Sequence, residues 1–198
     1  MEHLYVARKM PAPDWDVLPT ATLMHMPWGT RCFITAKAQA CYNEDMLWVR
    51  LEAQESPIRA TLKAELSTVC TDSCLEFFFA PLFMDPRYFN FEFNPLGTML
   101  LEFGAEKSTR IRQVPRDYKD LFAPQPFSTE KGWGIKFQIP RSFVQLYFPG
   151  YTFSGKGRCN FYKCGDHTEV PHYLAWAPLK SSVPDFHRIN DFGTIIFK

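Results

Sequence analysis

What the sequence lacks narrows it before any motif is read. No apolar run approaches the roughly 20 residues that a helix needs to cross a bilayer, so no membrane partner is expected. Neither sign of charge dominates, because 22 Lys plus Arg face 21 Asp plus Glu and the charges are scattered. That balance offers no electrostatic footprint for nucleic acid and suits a neutral ligand. There is no Gly-x-Ser-x-Gly elbow and no Cys-His-Asn context for a nucleophilic triad. Gly155-Lys156-Gly157 is too short to cradle phosphates. Repeats, low-complexity tracts and linkers are missing too, which leads to the expectation of one domain over residues 1–198. The opening residues, MEHLYVARKMPAPDW, carry no apolar stretch of the secretory kind. As the sequence stands a cytoplasmic protein is expected, or an extracytoplasmic one if a leader was removed.

What is present points to strands. The composition is 46% hydrophobic, with 19 Phe and 16 Pro, too apolar for disorder and too interrupted for long helices. From Arg31 onward, short runs rich in Phe, Val, Ile, Trp and Tyr recur between Gly, Pro and Asp/Asn clusters. In Asp45 to Gln54, Leu47, Val49, Leu51 and Ala53 alternate with Trp48, Arg50 and Glu52, as side chains do on a pleated strand. Ser73 to Ala80 sets Leu75, Phe77 and Phe79 against Cys74, Glu76 and Phe78, so Glu76 is embedded among apolar neighbours. Tyr88 to Asn94 sets Phe89, Phe91 and Phe93 against Asn90, Glu92 and Asn94, and the turn at Pro95-Leu96-Gly97 makes a hairpin with Thr98 to Phe103. Trp133 to Ile139, Arg158 to Cys164, Tyr173 to Trp176 and Phe192 to Phe197 complete the strands, with a helical turn or two expected over Arg141 to Tyr147. Residues 104 to 130 carry the weakest pattern and read as edge strands with long loops. The fold class expected is all-β, an antiparallel β-sandwich of jelly-roll kind with at most one or two short helices.

Two segments are the most distinctive: Asp72-Ser73-Cys74-Leu75-Glu76-Phe77-Phe78-Phe79, and Tyr88-Phe89-Asn90-Phe91-Glu92-Phe93-Asn94-Pro95-Leu96-Gly97. Together they resemble the centre of the family 9 carbohydrate-binding modules, in which an Asp-Ser-x-x-Glu-x-Phe strand precedes one that ends in an Asn-x-x-Gly turn. Pro27-Trp28 with the Leu47 to Glu52 strand resembles the family's opening, and Trp176-Ala177-Pro178, Phe186-His187 and Asp191-Phe192-Gly193 resemble its close. The resemblance spans roughly residues 14 to 198. It implies a β-sandwich that binds plant-type glucan or xylan chains, or a sugar terminus, without cleaving them, alone or beside a separately encoded glycoside hydrolase.

Sugars are held by aromatic faces against their C–H surfaces and by planar carboxylate, amide or guanidinium groups against paired hydroxyls. The candidate hydroxyl partners are Glu76, Asn90 and Glu92, with Arg50 joining from the preceding strand and Asn160 and Tyr162 on a later one. The resemblance implies, in those members that grip sugar between two tryptophans, one such residue before the Glu76 strand and one six residues before the C-terminal Phe-Gly. At the corresponding places this chain has Phe186 and the non-aromatic Val69-Cys70-Thr71. Trp28, Tyr162, Trp176 and His187 are the candidate substitutes.

Blander readings stand beside these: Glu76 and Glu92 as a solvated face or as buried acids paired with Arg50, Trp176 as core, and Phe186 as packing at the barrel end. A protein-docking sandwich is one alternative function. Glycoside hydrolysis by Glu76 and Glu92 is another, requiring two carboxylates on either side of the scissile bond. No cofactor is required by any of these readings. A zinc site from Cys159, Cys164 and His167 is disfavoured because Cys159 and Cys164, five apart on a strand, face opposite ways, and Cys70 with Cys74 makes a poor chelate. A structural calcium ion is implied by the resemblance, with Asp72, Asp85 and Asp166 as candidate loop ligands. The six cysteines are expected as free, mostly buried thiols.

Overall fold

The structure is a computed structural model that describes residues 3–29, 32–115 and 117–198. Alternating hydrophobicity is realised as strands over most of the chain. They are β1 (Leu4–Lys9), β2 (Ala21–Thr22), β3 (His25–Gly29), β4 (Thr35–Tyr42), β5 (Met46–Gln54), β6 (Cys74–Ala80) and β7 (Tyr88–Phe93). After these come β8 (Met99–Gly104), β9 (Ile111–Arg112), β10 (Gln125–Thr129), β11 (Gly132–Pro140), β12 (Gly155–Cys164), β13 (His172–Ala175) and β14 (Gly193–Phe197). Two five-residue helices, α1 (Tyr118–Phe122) and α2 (Arg141–Gln145), are the helical content beyond single turns among the described residues. Pro140 starts the second helix where β11 stops, since it has no N–H to continue the ladder.

The strands run β10-β11-β5-β4-β1-β14-β12-β6-β7-β8-β9 and fold over into two layers, with β1 passing from one to the other. Leu4–Ala7 of β1 pair with β14, while Arg8 and Lys9 pair with β4. Both of these ladders are parallel, and the remaining ladders among the described residues are antiparallel. The layers close on the inner faces that alternation predicts. Phe77, Phe79, Phe89, Phe91, Phe93 and Phe161 meet Leu47, Val49, Leu51, Ile135, Phe137 and Ile139 in one core. The Phe93 and Phe137 rings lie 4.6 Å apart across the layers, and Phe77 stacks on Phe161 at 5.1 Å. Each such ring contributes roughly 1.5–3 kcal/mol by leaving water.

One end of this core is closed by charge. Lys163, wholly buried on the inner face of β12, donates to Glu55 Oε1 at 3.1 Å and to the Cys164 carbonyl at 2.7 Å, and its Nζ lies 2.7 Å from His172 Nε2. Glu55 also accepts from the Ser73 hydroxyl and the Trp133 indole. Burial and then Lys163 lower the pKa of His172, which keeps its ring neutral and able to accept from Lys163. Every member of this network is satisfied, which makes it a structural lock.

The outer face of the β6-β7-β12 layer departs from the simple alternation. It was expected to be polar, yet Asn90, Glu92 and Asn94 are all buried. The reason is a second, smaller core of Trp28, Val69, Phe78, Tyr88, Tyr162 and Phe186, laid over that face by the ends of β3 and β13, the turn Val69–Thr71 and segment 179–192. The Trp28 indole fastens this cover by donating to the Ser181 carbonyl at 2.8 Å.

Candidate functional site

A cavity of about 180 Å³ opens between the outer face and its cover. Its floor is set by strand register. Glu76 of β6 lies directly opposite Glu92 of β7, and Tyr162 of β12 lies opposite Glu76 on its other side. The two acids, 2% and 5% exposed, therefore sit side by side on one pleated face. Phe78, Cys164 and Cys70 extend the floor, while Trp28, Tyr173, Phe186 and His187 make the wall and Asp166, Lys107 and Asp185 line it with charge.

The acids are oriented from behind. Arg110, just before β9, lies over the Tyr88 ring at 3.9 Å from its centre and donates to the Tyr88 and Gly104 carbonyls, each at 2.9 Å. Its Nε donates to Asn90 Oδ1 at 3.0 Å. With its oxygen so engaged, Asn90 turns its amide nitrogen to Glu92 and donates to Oε1 at 2.7 Å. Glu76 Oε1 accepts from the Cys164 thiol at 2.9 Å.

Burial, and then the neighbouring Glu92 carboxylate, raise the pKa of Glu76 well above the ordinary carboxylate range. Burial likewise raises Glu92 to about 7, against the lowering effect of the Asn90 bond. Burial first, and then the Arg110 and Lys107 charges, hold His187 down to about 3, so its ring is neutral. Its Nδ1 lies 3.0 Å from the Tyr88 hydroxyl. When that hydroxyl donates to Nδ1, the ring proton sits on Nε2 as a donor. The cavity thus presents carboxyl groups, a neutral imidazole and aromatic side chains.

The predicted residues divide sharply. Glu76, Glu92, Phe186 and His187 line the cavity, as does the substitute aromatic Trp28, and Asn90 stands one hydrogen bond behind Glu92. Tyr162 is instead wholly buried beneath Phe186, stacked at 4.1 Å with 6° between the planes, so it supports the wall without reaching the cavity. Asn160 shares its face, but its amide is consumed by the N–H and carbonyl of Ala177, which anchors the cover. Trp176 belongs to the main core, packed against Tyr5 and Phe161.

Arg50 is the clearest correction. Strand β5 pairs with β4 and β11, not with β6, so Arg50 lies in the other layer, where it binds Glu52 at 2.8 Å and covers the Phe127 ring. Arg110 is the guanidinium that serves the acids, and the sequence around it carried no periodic signal. Tyr173 and Asp166 were also missed as wall residues, since their proximity depends on β13 pairing with both β12 and β3.

Of the candidate calcium ligands, Asp72 and Asp85 are not brought together. Asp72 and Asp85 lie beyond opposite ends of β6, a seven-residue strand spanning roughly 20 Å. The Asp72 carboxylate accepts from the N–H groups of Thr61 and Leu62, the Thr61 hydroxyl and the Asn94 amide. Asp85 is occupied by Arg87. All six cysteines are free, and Cys159 and Cys164 face opposite sides of β12 as their spacing requires.

Phe186 and Cys70, from the two segments that the resemblance sets against the tryptophan pair, meet at this same cavity. No curated protein matches the chain. Among solved structures, a candidate carbohydrate-binding protein from Bacteroides uniformis is similar over the full length of both chains, with 23% identity and a TM-score of 0.86. A family 9 carbohydrate-binding module from Caldicellulosiruptor kristjanssonii in complex with cellotriose matches at 11% identity and TM-score 0.68, covering 98% of this chain and 93% of that one. The same kind of module in complex with glucose matches at 13% identity and TM-score 0.66, covering 98% and 94%. The model of carbohydrate-binding family 9 matches residues 14–197, nearly the whole length, and the chain belongs to that family.

Proposed function

We propose that this protein binds a carbohydrate in the cavity over Glu76 and Glu92, without cleaving it, and that the ligand is a single terminal sugar ring of a glucan or xylan chain. The carrying observation is the pair of buried acids, opposed across β6 and β7, at the floor of a cavity walled by Trp28, Tyr173 and Phe186. A carboxyl group engages paired hydroxyls in its plane, and aromatic side chains cover the C–H surface of the same ring. The volume, about 180 Å³, is below the roughly 300 Å³ at which pockets for larger ligands begin, which suits one ring more than a chain lying along a cleft. The cellotriose and glucose held in the two Caldicellulosiruptor structures support the same ligand class. A concavity this small is also less suited to a protein partner, which needs an extended face.

Family membership favours binding over hydrolysis, since the matching model and the similar solved structures are of carbohydrate-binding modules. A separately encoded hydrolase, working on the same polysaccharide, is the enzyme such a module would accompany.

Calorimetric titration with glucose, xylose, cello-oligosaccharides and xylo-oligosaccharides tests this reading. Binding of at least one series is expected, with similar affinity for short and long members, weakened at least about tenfold by Glu92→Gln and by Phe186→Ala. Arg50→Ala should leave the affinity unchanged. Absence of binding to all four ligand types, or loss in the Arg50 variant with none in the other two, refutes it.

A further inference from the structure

We infer that Cys74, Cys164 and Glu76 form a site for one thiophilic divalent cation, of the zinc class, at the cavity floor, with a fourth coordination position open to the cavity. The site follows from register. Cys164 closes β12 directly opposite Cys74 at the start of β6, and Glu76 stands two residues further along β6 on the same pleated face. Two sulfurs and a carboxylate oxygen are thereby drawn to within 4.8 Å of one another, all three residues being buried. A tetrahedral zinc ion with bonds of about 2.3 Å to sulfur and 2.0–2.2 Å to oxygen holds such ligands roughly 3.5–4 Å apart. Side-chain rotation on a fixed sheet covers the difference. The grouping was invisible in the sequence, where Cys74 and Cys164 are separated by the whole of the intervening fold.

The chemistry of the three donors selects the cation. Two thiol sulfurs disfavour calcium and magnesium, which prefer all-oxygen shells, and favour zinc and its soft congeners. Three protein ligands with one open side differ from the closed four-ligand arrangement of purely structural zinc. Cys164 and Glu76 both line the cavity, which supplies the entry path, and Cys70 borders it on the same side. The charge around the cluster points the same way. Among the described residues no basic side chain forms an ion pair with Glu76, whose hydrogen-bond partner is the Cys164 thiol. A divalent ion would take the place of the protons on the carboxyl and thiol groups that converge there. Its open position would face whatever occupies the cavity.

The test needs no sugar, so its outcome is independent of the carbohydrate reading. Reduced, chelator-treated protein is titrated with zinc chloride against a chromophoric chelator, and with cobalt chloride while the absorption spectrum is recorded. One ion per chain is expected, together with the intense near-ultraviolet band of cobalt–thiolate charge transfer. Cys74→Ala, Cys164→Ala and Glu76→Gln should each weaken zinc at least about tenfold, and Cys32→Ser, which alters a thiol elsewhere, should not. The cobalt spectrum is read on the unaltered chain, so a variant that fails to fold does not decide the matter. A cobalt complex without the thiolate band overturns the inference, as does zinc affinity that survives the Cys74→Ala/Cys164→Ala double change. Recovery of a Cys74–Cys164 disulfide as the state of the protein isolated with its free thiols blocked also overturns it.

Discussion

Replacing Glu92 with glutamine should make the fold more stable at neutral and alkaline pH while impairing the site. The side chain is buried, and burial raises its pKa from the ordinary 4.5 to about 7. Between those two values the unfolded chain has released the proton and the folded chain retains it. The unfolded state then binds fewer protons, so stability falls as pH climbs from about 4.5 to about 7 and is flat above. At one decade per 1.36 kcal/mol, the loss reaches about 3 kcal/mol. Glutamine keeps the oxygen that accepts the Asn90 amide bond and has no proton to lose. Below pH 4.5 the two proteins should therefore be of similar stability, and at pH 8 the variant should be the more stable by up to about 3 kcal/mol. For a chain of this size that is several degrees in Tm. Denaturant and thermal melts between pH 4 and pH 8 measure it, with a chelator present so that the paired acids titrate without a bound cation. Parallel pH profiles for the two proteins, or a variant less stable than the parent at pH 8, would refute the reasoning.

Two further changes probe the supports. Arg110→Leu should cost about 2–4 kcal/mol in denaturant melts, because it strips donors from the Asn90 side chain and from the buried carbonyls of Tyr88 and Gly104. It should also lower sugar affinity, since Asn90 would then be free to turn its amide away from Glu92. Lys163→Met should cost about 3–5 kcal/mol in urea titrations by leaving the Glu55 carboxylate uncompensated in the core, and a cost below about 1 kcal/mol would show the network to be dispensable.

The strands were legible because each pairs a wet or lightly covered face with a core face, and period-two alternation records that difference directly. The runs at 45–54, 73–80, 88–94 and 133–139 reappear as β5, β6, β7 and β11 with ends shifted by one residue at most. Two things escaped, and both are matters of which strand lies beside which. Alternation says that Arg50 and Glu76 each point out of a sheet, but not that β4 and β11 flank β5 and so carry Arg50 to the opposite layer. It equally cannot show that Arg110, in a stretch without periodicity, folds back over Tyr88. The buried state of Glu92 and Asn94 was hidden for another reason: the cover is assembled from β3, β13, the turn at 69–71 and the segment 179–192, which are remote from one another in the chain.

The energetic character of the floor is itself an argument about purpose. A sheet gains nothing from opposing two glutamates across neighbouring strands, since like charges there are destabilising and burial raises the cost of ionising either. The Lys163–Glu55–His172 network at the far side of β12, by contrast, compensates its buried charge fully. Glu92 receives one amide bond, Glu76 one thiol bond, and both keep a side toward the cavity. Arg110 is spent on holding Asn90 in place, not on neutralising the acids by direct contact. Two buried acids placed side by side at one concavity are what a binding site requires: carboxyl groups whose cavity side is left for a ligand's hydroxyls, or a cation, to engage.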